Sequence, residues 1–252
     1  MRIDAVSNRT ERYYDEFYYR YQASIGEFGG WANRTKFEQF VYPEFKVLDF
    51  GCGGGYLLRQ LNCADKLGIE INEVARKAAA EVGIQTVPQT LDVADHWADL
   101  VISNHALEHV TSPLEELQKL WSKVKPGGRL VFVVPSESVA CEYRPNDVNH
   151  HLYTWSPMCL GNLFNEAGFA VEQCSPYRHK WPPHSHRRIA RVGGRFLFDL
   201  VSRLYARWDS SSGQVRIVAH RPAEKDLPGS VRSADRVSQN NGQHRHDCVT
   251  SV

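Results

Sequence analysis

The run from Val47 to Gly55, Val-Leu-Asp-Phe-Gly-Cys-Gly-Gly-Gly, constrains this chain most, because it joins a short apolar stretch to a cluster of glycines. Residues 46–50 have the length and composition of a buried β-strand. Glycines directly after a strand let the backbone pass close to a ligand without a side-chain clash. They also leave amide groups free at the start of the next helix, where an anionic group can be held. The run therefore predicts a strand, a ligand-binding loop and a helix.

The pattern around this run indicates an α/β fold. From Phe45 onward, short apolar segments alternate with helical patterns, as in a mostly parallel sheet with helices on both faces. Asn72 is a candidate helix cap, and Ser112-Pro113-Leu114-Glu115 has the form of a capping box with proline at the first helical position. The predicted strands are 46–50, 67–71, 84–87, 100–103, 129–134, 169–174 and 215–219.

Composition divides the chain into one domain with three attached segments. We predict an N-terminal helical segment at 1–44, an α/β domain at 45–222 with an insertion at 176–213, and a disordered tail at 223–252. The tail carries almost no large apolar residues, so it cannot bury enough surface to offset its ordering entropy. The aromatic run 13–21 has helical spacing, which fits either a helix packed on the core or a lid over a ligand.

The insertion combines proline, histidine and arginine with a helical pattern. Phe196, Leu200, Leu204 and Trp208 fall on one face of a predicted helix, and arginines fall on another. The arginines are either a solvated helix face or a cap that attracts an anionic acceptor. We favour the cap. The arginines concerned are Arg187, Arg188, Arg191, Arg195, Arg203 and Arg207.

Two acidic residues refine the interpretation of the glycine loop. A dinucleotide fingerprint is opposed by Tyr56, which stands where helix packing against a pyrophosphate needs glycine or alanine. Asp49 ends the first strand, where a buried carboxylate is costly unless it is paired. The ammonium and sulfonium groups of S-adenosylmethionine would provide that partner. Glu70 ends the second strand, where a carboxylate can accept hydrogen bonds from both hydroxyls of a ribose.

Four motifs in order resemble a known family. VLDFGCGGG, GIEIN, ADLVISNHALEHV and KPGGRLVFVVP are similar to motifs of the class I S-adenosylmethionine-dependent methyltransferases. The resemblance covers about residues 45–174 and is nearest to the broad group that includes ubiquinone-biosynthesis O-methyltransferases. It implies a Rossmann-like seven-stranded sheet whose last strand is antiparallel, with S-adenosylmethionine as the cofactor.

The resemblance also implies roles for particular residues. The loop and the end of the first strand would bind the methionine part of the cofactor, and Glu70 would lie at its ribose. Ile71 would also belong to the cofactor site, and Asn104 and His105 would lie beside the transferred methyl group. Tyr14, or a neighbour, would belong to the lid. The loop residues concerned are Asp49, Gly51, Cys52, Gly53 and Gly55.

The chain departs from the family pattern at two points. Residues 87–92, Val-Pro-Gln-Thr-Leu-Asp, offer no clear counterpart of the aspartate that often contacts adenine. The Asn-Pro-Pro-Tyr signature of enzymes that methylate base amines is absent, since the fourth strand ends Ser-Asn-His-Ala. This argues against a DNA adenine methyltransferase.

Histidines are the candidates for acid–base chemistry. A hydroxyl acceptor benefits from a general base that titrates near neutral pH, and histidine has that property. His109 follows the fourth strand, and His150 and His151 lie on the loop after the fifth, over the expected acceptor pocket. We take these three as catalytic candidates, although a merely local hydrogen-bonding role for His109 stays open.

We expect no metal site. The six cysteines include no Cys-x-x-Cys pair, and although Glu108, His109 and a loop histidine could gather an ion, no ligand spacing demands it. Net charge, +1, favours neither nucleic acid nor a membrane surface, and no apolar run reaches the length of a membrane span. Without a signal-peptide pattern at Met1, we expect a cytoplasmic protein.

The predicted function is therefore S-adenosylmethionine-dependent O-methylation of a small-molecule or glycan acceptor, with an anionic acceptor favoured by the arginines of the insertion. The alternatives are an N- or C-methyltransferase and a non-catalytic protein that binds the same cofactor. A nicotinamide oxidoreductase is opposed by Tyr56 and Asp49, and an RNA-binding role lacks aromatic stacking motifs. The sequence does not predict an oligomeric state.

Overall fold

The computed structural model describes residues 26–138, 140–145, 147, 149–209 and 212–223. Within them lies a seven-stranded sheet of order β3-β2-β1-β4-β5-β7-β6, in which β7 runs antiparallel to both of its neighbours. This confirms the Rossmann-like sheet. The strands are β1 Lys46–Phe50, β2 Asp65–Ile69, β3 Gln85–Val87, β4 Ala98–Asn104, β5 Val124–Glu137, β6 Ala170–Tyr177 and β7 Ser212–His220.

Helices lie between the strands, as the alternating pattern predicts. The helices are α1 26–33, α2 Tyr56–Arg59, α3 Glu73–Glu81, α4 Pro113–Lys123, α5 Pro157–Glu166 and α6 His186–Trp208. α6 is interrupted at Gly194, where the backbone is not helical. Short 3-10 turns cover Arg34–Lys36, Glu38–Phe40, Thr90–Asp92 and Leu107–His109. No helix in these ranges is long and apolar enough to cross a membrane.

The order of the strands places a crevice at one edge of the sheet. From β1 the chain moves outward to β2 and β3, and then returns to place β4 on the other side of β1. Ligands of open α/β sheets bind at this reversal, outside the carboxyl ends of the strands. The residues that follow β1, β2 and β4 therefore meet at one place.

Both faces of the sheet are buried. Val47 and Leu48 are adjacent in β1 and both are fully buried, yet they belong to different apolar clusters on opposite faces. Leu100 and Val101, adjacent in β4, likewise belong to the two different clusters on opposite faces of the sheet. A strand covered on both faces reads as a continuous apolar run, which explains why the strands were recognisable.

Some local predictions are wrong. α4 begins at Pro113 as expected, but the Ser112 side chain makes no capping hydrogen bond, so the predicted capping box is absent. The strand predicted at 129–134 begins earlier, at Val124, and its pairing with β4 shifts register, because Ala98 pairs with Val124 and Leu100 with Arg129. The Asn72 cap is confirmed, since its Oδ1 accepts from two backbone amides. The predicted lid residue Tyr14 and nearly all of the predicted disordered tail lie outside the described residues.

Candidate active site

A cavity of about 610 Å³ lies at the carboxyl ends of β1, β2 and β4. Its lining includes every described residue that was expected to bind the cofactor except Gly55. Gly55 lies beneath it and packs against Ile84 and Ala79, with a positive φ of 72°. The sequence-distant motifs therefore converge on one cavity.

The glycine loop is held against β2 by its own backbone. The amides of Gly51 and Cys52 both donate to the carbonyl of Ile69, at 2.9 and 3.1 Å. Gly51 has a φ of +73°, and a Cβ atom there would collide with the Cβ of Ala106. Glycine is therefore favoured at this position for two reasons: the backbone is left-handed, and Ala106 leaves no room for a Cβ atom.

The loop amides do not act as predicted. The amide of Gly53 donates to Glu70 Oε2 at 2.9 Å, and that of Gly55 donates to the carbonyl of Cys52 at 3.0 Å. Together with Gly51 and Cys52, four amides of the loop are used inside the protein. The expectation that these amides hold an anionic group is therefore wrong for these four, and the loop contributes space and shape instead.

Glu70 is fixed in place by two backbone amides. Its Oε2 accepts from Gly53 and its Oε1 accepts from Asn72 at 2.8 Å. Burial raises the pKa of Glu70, and these hydrogen bonds oppose the shift. Because a carboxylate oxygen has two lone pairs, each oxygen can still accept a further hydrogen bond from a ligand hydroxyl. Ile71 beside it is 70% exposed, although it also lines the cavity.

Asp49 gives the cavity its preference for positive charge. Its side chain is 2% exposed, and burial, with the nearby charge of Glu70, raises its pKa to about 8. A cationic group bound here would favour the ionised form of Asp49, whereas an anionic pyrophosphate would disfavour it further. The two acidic side chains of this wall therefore fit the ammonium and sulfonium of S-adenosylmethionine better than the pyrophosphate of a dinucleotide.

A buried lysine supports the residues that follow β4. Lys36 Nζ donates to Asn104 Oδ1 at 2.8 Å and to Gln214 Oε1 at 2.7 Å. Burial lowers the pKa of Lys36 to about 7, and the charge of Glu108 opposes the shift. His105 has a φ of +58° and its Nε2 lies 3.3 Å from Gln214 Oε1. The two residues expected beside the methyl group are thus held by a polar network.

A buried carboxylate surrounded by imidazoles lies next to this network. Glu108 is fully buried, and its Oε1 lies 3.5 Å from His105 Nδ1, 3.8 Å from His109 Nε2 and 3.9 Å from His151 Nε2. The rings of His109 and His151 are 5.0 Å apart, and His151 Nδ1 lies 2.8 Å from Glu137 Oε1. We call Glu108, His105, His109 and His151 the histidine cluster.

The protonation of the cluster follows from its burial. Burial acts to raise the pKa of Glu108, but the hydrogen bond and charge of His105, together with the charge of His109, hold it below its usual value. Burial lowers the pKa of His109, although the charge of Glu108 opposes the shift. A largely ionised Glu108 beside a neutral His109 is therefore the expected state near pH 7.

The three candidate histidines differ in their positions. His109 lines the cavity, and His151 lies behind it in the cluster. The amides of Leu152 and Tyr153 donate to the carbonyl of Glu108, which holds the loop of His151 against this turn. His150 is exposed, and its backbone amide donates to Asp147 Oδ2 at 2.9 Å.

The cluster also contains three side chains with the chemistry of metal ligands. Ligand atoms of Glu108, His109 and His151 all lie within 4.8 Å of one another. One carboxylate and two imidazoles make a donor set that divalent zinc accepts. The fold brings these groups together although their spacing in the sequence gave no such indication.

Several lining residues were not found by sequence reasoning. Helix α1 contributes Gly26, Gly29, Gly30 and Asn33, and the closely spaced glycines are the only signal that could have revealed them. Residues 88–91 after β3 also line the cavity. Asp92 instead closes a local capping box, in which the amide of Gln89 donates to its Oδ2 at 3.2 Å. This explains why the region offered no clear adenine-binding aspartate.

Comparisons of sequence agree with the geometry. A family model described as a methyltransferase domain matches residues 12–174, which is more than half of the chain. Over 106 residues the chain is 35% identical to the ubiquinone biosynthesis O-methyltransferase of Vibrio cholerae serotype O1, covering 37% of this chain and 43% of that protein. The chain thus spans less than half the length of the curated relatives it matches.

Solved structures share the fold at low sequence identity. The S-adenosylmethionine-dependent methyltransferase of Mesorhizobium loti is similar with a TM-score of 0.50 and 19% identity, over 75% of this chain and 98% of that one. The Haemonchus contortus phosphoethanolamine N-methyltransferase 2, in complex with S-adenosylmethionine, is similar with a TM-score of 0.54 and 14% identity. The match covers 75% of this chain and 52% of that one. With the family match, this chain belongs to the methyltransferase-domain family, and its sheet has the fold of the class I S-adenosylmethionine-dependent methyltransferases.

Proposed function

We propose that the enzyme methylates an oxygen atom of a small-molecule or glycan acceptor, and that His109 accepts the acceptor's proton. The observation that carries this proposal is the histidine cluster beside Asn104. When bound, S-adenosylmethionine supplies an activated methyl group. The protein's own tasks are then to align the acceptor and to remove a proton from it.

His109 fits the role of a general base. It lines the cavity, and because burial lowers its pKa, it is neutral and able to accept a proton near pH 7. Glu108 lies close enough to stabilise the imidazolium that forms. His151 packs against the His109 ring and is itself held by Glu137, so it positions His109.

The test is a set of single substitutions to asparagine. His109→Asn is expected to lower kcat by about 100-fold or more, since general bases contribute roughly that much, while leaving cofactor affinity within about threefold. His151→Asn should give a smaller loss, as expected for a positioning residue. The matched control is His96→Asn, because His96 is exposed and its positive φ of 54° suits asparagine.

Two results would contradict this assignment. One is an unchanged kcat in His109→Asn, and the other is a loss confined to His150→Asn, the remaining candidate. A chelator provides a further check, because a base made of imidazole and carboxylate needs no metal. Activity that is lost with chelator and restored by zinc would transfer the role of the cluster to metal binding.

An anionic group on the acceptor is supported by a second cavity. This cavity, of about 480 Å³, is polar and is lined by Tyr177 and by three arginines. Its only acid, Glu38, is 2.6 Å from Arg34 in an ion pair. The arginines are Arg178, Arg203 and Arg216.

Arg216 is the arginine of this cavity that is most constrained. Its guanidinium lies 4.7 Å above the Tyr177 ring, and burial and the charge of Arg203 lower its pKa. Like charges gathered around one cavity repel each other, and a bound anion removes that repulsion. Of the six arginines expected to attract the acceptor, only Arg203 lines this cavity.

Kinetics with anionic and neutral acceptors test this part of the proposal. Arg216→Gln should raise KM for an anionic acceptor by about tenfold or more and leave KM for its neutral analogue unchanged. Lys77→Gln, which removes a charge from an exposed pair on α3, is the matched control. An equal effect on both acceptors would show that Arg216 only supports the fold.

A further inference from the structure

The outward face of α6 is apolar. Phe196 is 82% exposed, Leu204 is 53% exposed and Trp208 is 88% exposed. These residues follow one another at helical spacing, so they form a continuous row along the helix. We call this row the apolar stripe; its members, which all follow the non-helical Gly194, are Phe196, Leu197, Leu200, Leu204 and Trp208.

The stripe is not the face that holds α6 to the protein. Phe198 and Ser202, on the opposite side, are fully buried. The ring of Phe198 lies 5.7 Å from that of Phe28 and 5.2 Å from that of Trp31, both in α1. The helix therefore has an inner face that packs and an outer face that remains apolar. Contiguous exposed apolar surface of this kind marks an interaction site.

Positive charge accompanies the stripe. Arg188 and Arg191, before the break at Gly194, and Arg207, in the last turn, are all exposed on α6. The two acids of this region are engaged internally, since Asp199 Oδ1 lies 3.2 Å from His179 Nε2, and Asp209 Oδ2 lies 2.8 Å from Lys180 Nζ. The outer face of α6 thus offers apolar side chains and arginines with little compensating negative charge.

This combination selects an anionic lipid surface as the partner. Helices that lie in a membrane interface carry leucine, phenylalanine and tryptophan on one face and arginine beside them. The long arginine side chains reach the phosphate groups while their stems cover apolar surface. In a symmetric dimer through the same face, the arginines of the two copies would meet, which disfavours a second copy.

We propose that the enzyme docks on anionic membranes through α6, with the apolar stripe entering the headgroup region and the arginines contacting lipid phosphates. The helix lies on the bilayer and does not span it, in agreement with its many charges. The proposal concerns where the enzyme works and does not depend on O-methylation or on the role of His109.

Vesicle sedimentation of the full chain tests the proposal. The probes are vesicles of phosphatidylcholine alone and vesicles in which about one third is phosphatidylglycerol. Leu200→Gln/Leu204→Gln should lower the partition coefficient on the anionic vesicles by about tenfold or more. Arg191→Gln/Arg207→Gln should lower it several-fold and weaken its salt dependence.

Matched controls separate the stripe from general surface effects. Met158→Gln replaces an apolar residue of α5 that is 73% exposed, and Lys77→Gln removes a charge far from α6. Both should bind vesicles as the wild type does. All variants should keep wild-type affinity for S-adenosylhomocysteine, which shows that they are folded.

Three results would overturn the proposal. The first is vesicle binding that the stripe variant leaves unchanged or that is equal on both lipid compositions. The second is a wild type that does not bind vesicles but is a dimer in light scattering, while Leu200→Gln/Leu204→Gln is a monomer. This result would mean that the stripe binds a second copy of the chain. The third is a large fall in Tm of Leu200→Gln/Leu204→Gln without vesicle binding by the wild type, which would mean that the chain itself covers the stripe.

Discussion

At Asp49 the protein keeps a carboxyl group where its surroundings oppose the charge. Burial and Glu70 raise its pKa to about 8, so the folded, ligand-free protein binds a proton there that the unfolded chain releases near pH 4. The contribution of Asp49 to the stability of the ligand-free protein therefore falls as pH rises from about 4 to about 8. The same buried carboxyl group that lowers stability when it ionises would attract a cationic ligand.

Replacing Asp49 by asparagine should separate stability from binding. Asp49→Asn should raise the free energy of unfolding of the ligand-free protein by a few kcal/mol at pH 8, and by much less at pH 5. The same variant should bind S-adenosylmethionine at least about 100-fold more weakly. Thermal melts at the two pH values and calorimetric titration measure both effects. A variant that is less stable at pH 8 would contradict this account.

The pH dependence of catalysis should reflect His109. Because burial lowers its pKa, the imidazole stays neutral to a lower pH than a free histidine, whose pKa is about 6.5. Activity should be lost as pH falls through the folded pKa, and the midpoint of kcat against pH should lie below about 6.5. A midpoint well above that value would contradict the assignment of His109 as base.

At the scale of elements, the position of the glycine loop was predicted from the sequence, but the hydrogen-bond partners of its amides were not. A strand followed by glycines correctly predicts β1, the loop and the cavity. Which partner each loop amide takes depends on Ile69 and Glu70 of the neighbouring strand, and this cannot be read from local sequence. The same holds for α6, whose amphipathic pattern was correct although its apolar side faces outward. Periodicity predicts that a face is apolar but not what covers it.

Substitutions in the loop should separate its two requirements. Gly51→Ala faces both a φ of +73° and a clash with Ala106, whereas Gly53→Ala faces only a φ of +53° in open space. Gly51→Ala should thus destabilise the protein by about 2 kcal/mol or more, and Gly53→Ala by about 1 kcal/mol. Adding Ala106→Gly to Gly51→Ala should restore part of the loss. Chemical unfolding measures all three, and equal effects of the two single variants would contradict this account.

At the scale of the whole molecule, the fold followed from the alternation of apolar strands and helical patterns. The class of cofactor followed from Asp49 and Glu70 beside the glycines. For the histidine cluster, the sequence indicated only that Glu108, His109 and a loop histidine could gather. Glu137 and the choice of His151 did not follow, because the loop after β5 must first fold back on the turn after β4. Contacts between distant segments depend on tertiary packing, which no local pattern records.

Ligand-induced stabilisation provides a test of the whole cavity. At about 100 times the dissociation constant, a ligand that binds only the folded state adds about 2.7 kcal/mol, which for a domain of this size raises Tm by about 5 to 10 °C. S-adenosylmethionine and S-adenosylhomocysteine should produce this shift in thermal melts, and NAD should not. Glu70→Ala should abolish it. A shift with NAD alone would contradict the site as described.

Lys36 forms hydrogen bonds with two segments of the chain that are synthesised at different times. Its ammonium group reaches Asn104 and also Gln214, which lies 178 positions later in the chain. The cavity at the end of β4 is therefore incomplete until β7 has been synthesised and inserted between β5 and β6. At ordinary rates of translation, Gln214 is synthesised several seconds after the strands that border the cavity. The hydrogen bond from Lys36 to Gln214 can form only after that delay.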